Sequence, residues 1–254
     1  MTNPTIDLIA RHGSVRRYRP EPVAREMIET IVAAGQRAST SSNLQAYSVI
    51  AVTDPERKAR ISELSGDQTQ IYQAPALLVW CLDRARLARA CALRGYEQNT
   101  HYMESFLVAA VDVALAAQNG ALAAESLGLG ICYIGSIRNH TQAIIDILEL
   151  PPFTFPITGM TIGRPAETPM IRPRLPLEAV LHWERYNPDQ DEALAAYDRA
   201  MAATGIYGGR QVAVPGKEGE MEEYGWTEHT ARRISQPKRT EMRSVIERQG
   251  FRLA

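Results

Sequence analysis

Four stretches carry side chains that could do chemistry. In RHGSVRRY, residues 11–18, His12, Ser14 and Arg16 fall at alternate positions. An extended backbone turns alternate side chains to one side, where an imidazole, a hydroxyl and a guanidinium together suit a phosphate or another anion. Read alone, the octapeptide is first a solvated basic loop and only second an anion site. IRPRLP, residues 171–176, holds Arg172 and Arg174 on a backbone stiffened by prolines. Alone it reads equally as an exposed proline-rich link and as an anion clamp. STSSNLQ, residues 39–45, is either plain turn or a set of donors and acceptors for a planar polar ligand. Gln68 falls in DQTQ, which reads as a loop. The sequence has no glycine-rich Rossmann or P-loop fingerprint, so a bound phosphate would be held by side chains.

Charge narrows the partners. Twenty-eight Lys and Arg against 29 Asp and Glu give a net charge of -1, which offers no electrostatic case for nucleic acid or an anionic membrane surface. The expected partner is a small molecule or a second copy. No residues are assigned to a metal. The three cysteines form no CxxC pair, and Cys81 and Cys132 lie in apolar runs, as reduced thiols do. The first residues, MTNPTIDLIARHG, have no signal-peptide h-region, so the expected location is cytoplasmic.

The elements that must position these residues centre on 103–130. Its first two thirds are apolar on nearly every face and rich in alanine, the composition of a helix with no solvent side. Asp112, Gln118, Asn119 and Glu125 interrupt it before the roughly 20 apolar residues that a bilayer span needs. It is read as a buried soluble helix, and its small side chains invite a close neighbour, from this chain or a second copy. Glycines 128 and 130 stop it, and 131–135 reads as a short buried strand. Helices are also expected at 4–10, 24–38, 55–66, 141–150 and 192–203, and strands at 46–53, 76–83 and 156–166. At 254 residues and 45% hydrophobic content the chain reads as one compact unit with excursions. Residues 205–225, rich in glycine and charge, read as a mobile surface loop, followed by a C-terminal helix broken or kinked at Pro237.

Together the pieces resemble a known family. HGSVR, STSSNLQ, Gln68 after a glycine, GLGICYIGSIRN and IGRPAETPMIRPRLP occur in the order and spacing of flavin-dependent nitroreductases. The closer resemblance is to the oxygen-insensitive NADPH nitroreductase and flavin reductase P subgroup, over roughly residues 5–200 and again 226–233.

The resemblance implies an α+β fold, a mixed sheet sandwiched by helices, in an intertwined homodimer with one FMN per subunit at the dimer boundary. Residues 1–200 would form the FMN-binding core, with 103–128 at the interface, and 201–254 a C-terminal excursion. His12, Gly13, Ser14 and Arg16 would meet FMN, and Arg172 and Arg174 would hold its phosphate. Ser41, Gln45 and Gln68 would lie beside the flavin, and Tyr133, Ile134, Gly135 and Ser136 would place backbone along its edge. Arg210 and Arg232 would meet the nucleotide or substrate. Gly13 stands where the subgroup has arginine, and Ser136 where it usually has a second glycine. The implied activity moves two electrons from NADPH or NADH, by a ping-pong mechanism, to nitroaromatics, quinones or free flavin, the chemistry being carried by flavin N5 rather than by a catalytic side chain. The alternatives are a flavin-supplying protein with little turnover and a flavin dehalogenase of the same fold.

Overall fold

The computed structural model describes residues 3–214, 216–217 and 219–254. Contacts gather the chain into two compact units, one of residues up to Met170 with Arg239–Ala254 and one of Ile171–Lys238. Positions 215 and 218 of the expected loop lie outside the described residues.

The first unit is an antiparallel sheet with helices on both faces. Its strands are β1 (Tyr47–Val52), β2 (Ala76–Asp83), β3 (Gly130–Ile134) and β4 (Thr154–Gly163), in the order β1-β2-β4-β3. The sheet was expected to be mixed, but every pairing in it among the described residues is antiparallel, because β4 runs opposite to both of its neighbours, β2 and β3. All of β2 is buried. Ala76, Leu78, Trp80 and Leu82 face a core with α2 (Arg25–Gly35) and α6 (Met103–Ser126), while Leu77, Val79 and Cys81 face a second core with α3 (Pro55–Leu64), α4 (Thr69–Gln73) and α7 (Thr141–Ile147). Period-2 alternation thus becomes a continuous apolar run once both faces are covered, each large side chain contributing about 1.5–3 kcal/mol.

Helix α6 has the expected bounds, but it does have a solvent side. Ala109, Val113, Ala116, Ala117, Gly120 and Ala124 are buried, while Met103, Leu107, Val111 and Leu115, four residues apart, are about half exposed. The close neighbour is α2 of the same chain. A Cβ on Gly35 would lie 2.9 Å from the Ala116 carbonyl oxygen, and one on Gly120 would lie 3.0 Å from the Trp80 indole. Gly128, at φ +76, turns α6 into β3. Helix α6 is also long and apolar enough to cross a membrane by composition, yet it packs on the sheet and carries the buried Asp112.

Helices α1 (Pro4–Ala10) and α5 (Ala85–Leu93) complete the N-terminal part of this unit. The expected DQTQ loop is shorter than read, since Thr69 and Gln70 begin α4.

In the second unit, α8 (Asp191–Ala202) packs with α9 (Trp226–Ile234), and 205–225 contains a hairpin of β5 (Gln211–Ala213) and β6 (Met221–Glu223), with Val212 buried. The C-terminal helix is broken at Pro237, one of the two outcomes expected there, into two helices. α9 belongs to the second unit and α10 (Met242–Arg248) to the first, because the residues around Pro237 do not continue the helical hydrogen bonding. α10 and the terminal residues dock on the first core, where Phe251 is fully buried edge-on to Phe106 and Phe153.

Candidate functional site

The N-terminal stretch is extended, and it is extended because of β3. Val15 N–H donates to the Ile131 carbonyl (2.8 Å), and Arg19 N–H to the Arg164 carbonyl (2.9 Å). Gly13 and Val15 are buried, His12 and Ser14 half-buried and Arg16 exposed, so the alternation read from the sequence is present. Glycine is required at 130, where a Cβ would lie 2.4 Å from Val15 Cγ2. The Tyr18 hydroxyl ties off the segment at the Val15 carbonyl and Thr161 Oγ1, both at 2.7 Å, and burial pushes its phenol up. Gly13 faces inward, where a Cβ would lie 2.9 Å from Pro169 and 3.1 Å from the Met170 carbonyl. An arginine here has no room, which is a physical reason for the departure from the subgroup.

His12 has a partner. Its Nδ1 lies 2.5 Å from Glu125 Oε1, on the last turn of α6. Tyr133 belongs to the same cluster, its phenol pushed up by burial and then by the charge of Glu125. Sequence reading treated Glu125 only as a break in an apolar run, and nothing local signals a pair 113 positions apart. Beyond Tyr133, β3 buries the Ile134 side chain in the second core and ends in a 3-10 turn, Gly135–Arg138. Gly135 and Ser136 are half-buried there, and the Arg138 guanidinium, lowered by burial and by Arg239, donates to the Ile157 carbonyl.

The 39–45 stretch is held by Asp112. Its two carboxylate oxygens accept from Ser41 N–H (3.0 Å) and Ala46 N–H (3.1 Å), and the residue is 1% exposed. Between those anchors Ser42, Asn43 and Gln45 adopt φ of 47, 55 and 52°. Left-handed non-glycine residues cost about 1–3 kcal/mol each and persist where surroundings over-determine them. Ser41 and Gln45 are both exposed. Asp112 and Glu125 stand about 20 Å apart along α6 at its normal rise. Gln68 caps α4; its side-chain oxygen accepts from Gln70 Nε2 (2.7 Å) and its carbonyl from Ser62 Oγ (2.8 Å). Behind it, buried Lys58 donates to the Ala74 carbonyl at the end of α4, its ammonium pKa lowered by burial.

In the second unit Arg172 and Arg174 are exposed. Arg174 Nη1 donates to the carbonyls of Arg172 (3.1 Å) and Pro173 (3.2 Å), and Tyr197 Oη of α8 donates to the latter (3.2 Å). Arg210 and Arg232 converge on one ring, with guanidinium carbons 5.5 and 5.8 Å from the Tyr224 centroid. Glu228 holds Arg232 and raises its pKa, and Tyr207 and His229 pack around Tyr224. Sequence reading missed Tyr224. Gly225 next to it admits the Asp198 carboxylate, which caps α9 at Thr227 N–H (2.6 Å). Among the described residues no group of three or more His, Cys, Asp or Glu could hold a metal.

Comparison with known proteins agrees over both units. The FMN reductase (NAD(P)H) of Bacillus subtilis is 40% identical over 99% of each chain. The oxygen-insensitive NADPH nitroreductase of Salmonella typhimurium is 34% identical over 98% of each. The NADPH:FMN oxidoreductase from Vibrio harveyi, solved with NAD+, superposes with a TM-score of 0.87 at 31% identity, covering 98% of this chain and 99% of that one. The nitroreductase family model matches residues 9–164, which contain the segment on β3, the Asp112-pinned loop and the Gly135 turn, and the family's C-terminal domain model matches 172–254, so the chain belongs to the nitroreductase family.

Proposed function

We propose that this protein is an FMN-dependent oxidoreductase that moves two electrons from NADPH or NADH, by a ping-pong mechanism, to small aromatic acceptors such as nitroaromatics, quinones or free flavin. The observation that carries this reading is the segment on β3, which turns His12, Ser14 and Arg16 outward beside the strand that ends at Gly135 and Ser136. Relatives named as NAD(P)H-dependent FMN reductase and nitroreductase support it. The donor set fits FMN: the imidazole of His12 and the hydroxyl of Ser14 suit a phosphate, and the backbone at the Gly135 turn and the strained loop at Ser41 and Gln45 suit a planar polar ring.

When bound, FMN supplies a two-electron relay at N5. The chain's own residues bind and orient. His12 and Ser14 donate to the cofactor, Arg172 and Arg174 neutralise its phosphate, and Gln68 and the Tyr133–Ser136 backbone align the ring. Arg16 provides fixed positive charge where negative charge develops on reduction. Arg210 and Arg232 engage the nucleotide. We further propose a cytoplasmic homodimer closed through the exposed face of α6. The roughly 20 Å between Asp112 and Glu125 supports a site shared between copies. Leu107→Arg should then abolish association while leaving the fold intact, whereas a charge at Ala117, which is 1% exposed, strikes the core of the chain itself.

The test is the visible spectrum of the purified protein before and after anaerobic NADPH. A flavin spectrum bleached by the nucleotide and restored by a nitroaromatic or quinone is expected. A flavin that NADPH and NADH leave unbleached points to a flavin-supplying protein, and a colourless protein that takes up no FMN overturns the reading.

A further inference from the structure

The contact between His12 and Glu125 fixes a proton as well as a ring. The 2.5 Å distance is to Nδ1, and the side chains are 28% and 12% exposed, so the pair is partly withdrawn from water. An ionised carboxylate only accepts hydrogen bonds, so the hydrogen between them sits on Nδ1. In the neutral ring this leaves Nε2 as a bare acceptor, which repels an anion; Nε2 becomes a donor only when the ring takes a second proton. Proton exchange between the two tautomers, which would let a neutral imidazole donate from Nε2, is what Glu125 removes.

We propose that Glu125 is a positioning residue that makes anion binding at His12 proton-coupled. As the phosphate of FMN arrives, one proton from solvent adds to Nε2, the Nδ1–H bond to Glu125 stays in place, and the imidazolium lies between two anions. This rests on the FMN reading above. The charged and titratable groups around the pair are Arg11 on the same segment and Tyr133 from β3. A staple that merely fastened the N-terminal segment to α6 would serve equally well with any hydrogen-bonding side chain at 125. A proton-coupled site needs the charge.

The test has two arms. Side-chain nitrogen NMR of the FMN-free protein should show His12 protonated at Nδ1, and Glu125→Ala should release that tautomer. FMN dissociation constants are then read by absorbance titration at about pH 7 and about pH 9, a range in which the phosphate, with its second ionisation near 6, stays a dianion. The wild type should weaken severalfold toward the higher pH. Glu125→Gln should already be weakened at the lower pH, Glu125→Asp, which keeps the charge, should recover part of the loss, and His12→Ala should abolish the pH dependence and make Glu125→Gln silent. Equal loss from Glu125→Gln with and without His12, or a wild-type affinity that does not change with pH, overturns the proposal. A protein that binds no FMN fails the proposed function first. Inorganic phosphate then replaces FMN as the probe, and a His12 nitrogen signal that phosphate leaves unmoved overturns the positioning role too.

Discussion

Segment 11–18 and the stretch at 171–176 both offer guanidiniums, yet the chain presents them by different means. The first is held by backbone hydrogen bonds from Val15 to Ile131 of β3 and from Arg19 to Arg164 just past β4, seated through Val15 at Gly130 and terminated by Tyr18 at Thr161. The second is exposed, and it is ordered by its own prolines, its internal carbonyls and the Tyr197 hydroxyl. The first arrangement ties a binding group to the core, so damage to either damages both. The second leaves a charge that can be removed with little effect on the fold.

The strongest way to break this contrast is Gly130→Val. The added Cβ falls 2.4 Å from Val15 Cγ2, and forcing such overlap costs typically about 1–3 kcal/mol of stability. It should also unseat His12, Ser14 and Arg16 together, so FMN retention should be lost along with a lowered melting temperature. A variant with normal FMN affinity would show that the seat on β3 does not matter to the cofactor.

Asp112→Ala sharpens the same point at the other loop. It leaves the buried N–H of Ala46 and the part-buried N–H of Ser41 without their acceptor, at about 1–3 kcal/mol for an unsatisfied buried group, and frees three left-handed residues to relax. Denaturant unfolding and FMN titration should both register it, and Asp112→Asn, which keeps one acceptor oxygen, should fall between. Unchanged stability in the alanine variant would remove Asp112 as the anchor.

Arg174→Ala is the counterpart in the exposed stretch. If it meets the phosphate, its loss should weaken FMN binding by about 1.5 kcal/mol, the low end for a charged hydrogen bond because the site is open to water, with no change in melting temperature. An unaltered dissociation constant removes Arg174 from the site.

Local pattern made much of this readable before any coordinates. The alternation at His12, Ser14 and Arg16, the bounds of α6 and the burial of β2 are each written in a few consecutive residues. What escaped was nonlocal. Glu125 meets His12 across 113 positions, and Asp112 reaches back 71 to Ser41, so both acids looked like interruptions in an apolar helix. Composition alone also hid the exposed face of α6, since Leu107 and Val111 read like core residues whichever side they face. The hairpin inside 205–225 is too short for periodicity to show, and with it went the ring on which two arginines meet.

That ring frames the smallest expected effect. Arg210 and Arg232 both lie over Tyr224, but Arg232 is already paired with Glu228, which raises its pKa, whereas Arg210 is held through its backbone carbonyl, which accepts from Tyr224 N–H at 2.7 Å. The Arg210 guanidinium is therefore the one whose charge is the more available to a nucleotide phosphate. An exposed cation–π contact contributes only about 0.5–1 kcal/mol, so Arg210→Ala should leave folding and FMN affinity unchanged. It should raise the Michaelis constant for NADPH severalfold while the reaction of pre-reduced enzyme with acceptor keeps its rate, because ping-pong kinetics lets the two half-reactions be measured apart. Arg232→Ala should do less, since the Arg232 charge is already engaged by Glu228. If NADPH and NADH serve equally well and Arg210→Ala alters neither, the ring and its arginines do not read the nucleotide's 2′-phosphate, and the hairpin between Gln211 and Glu223 is there for the acceptor instead.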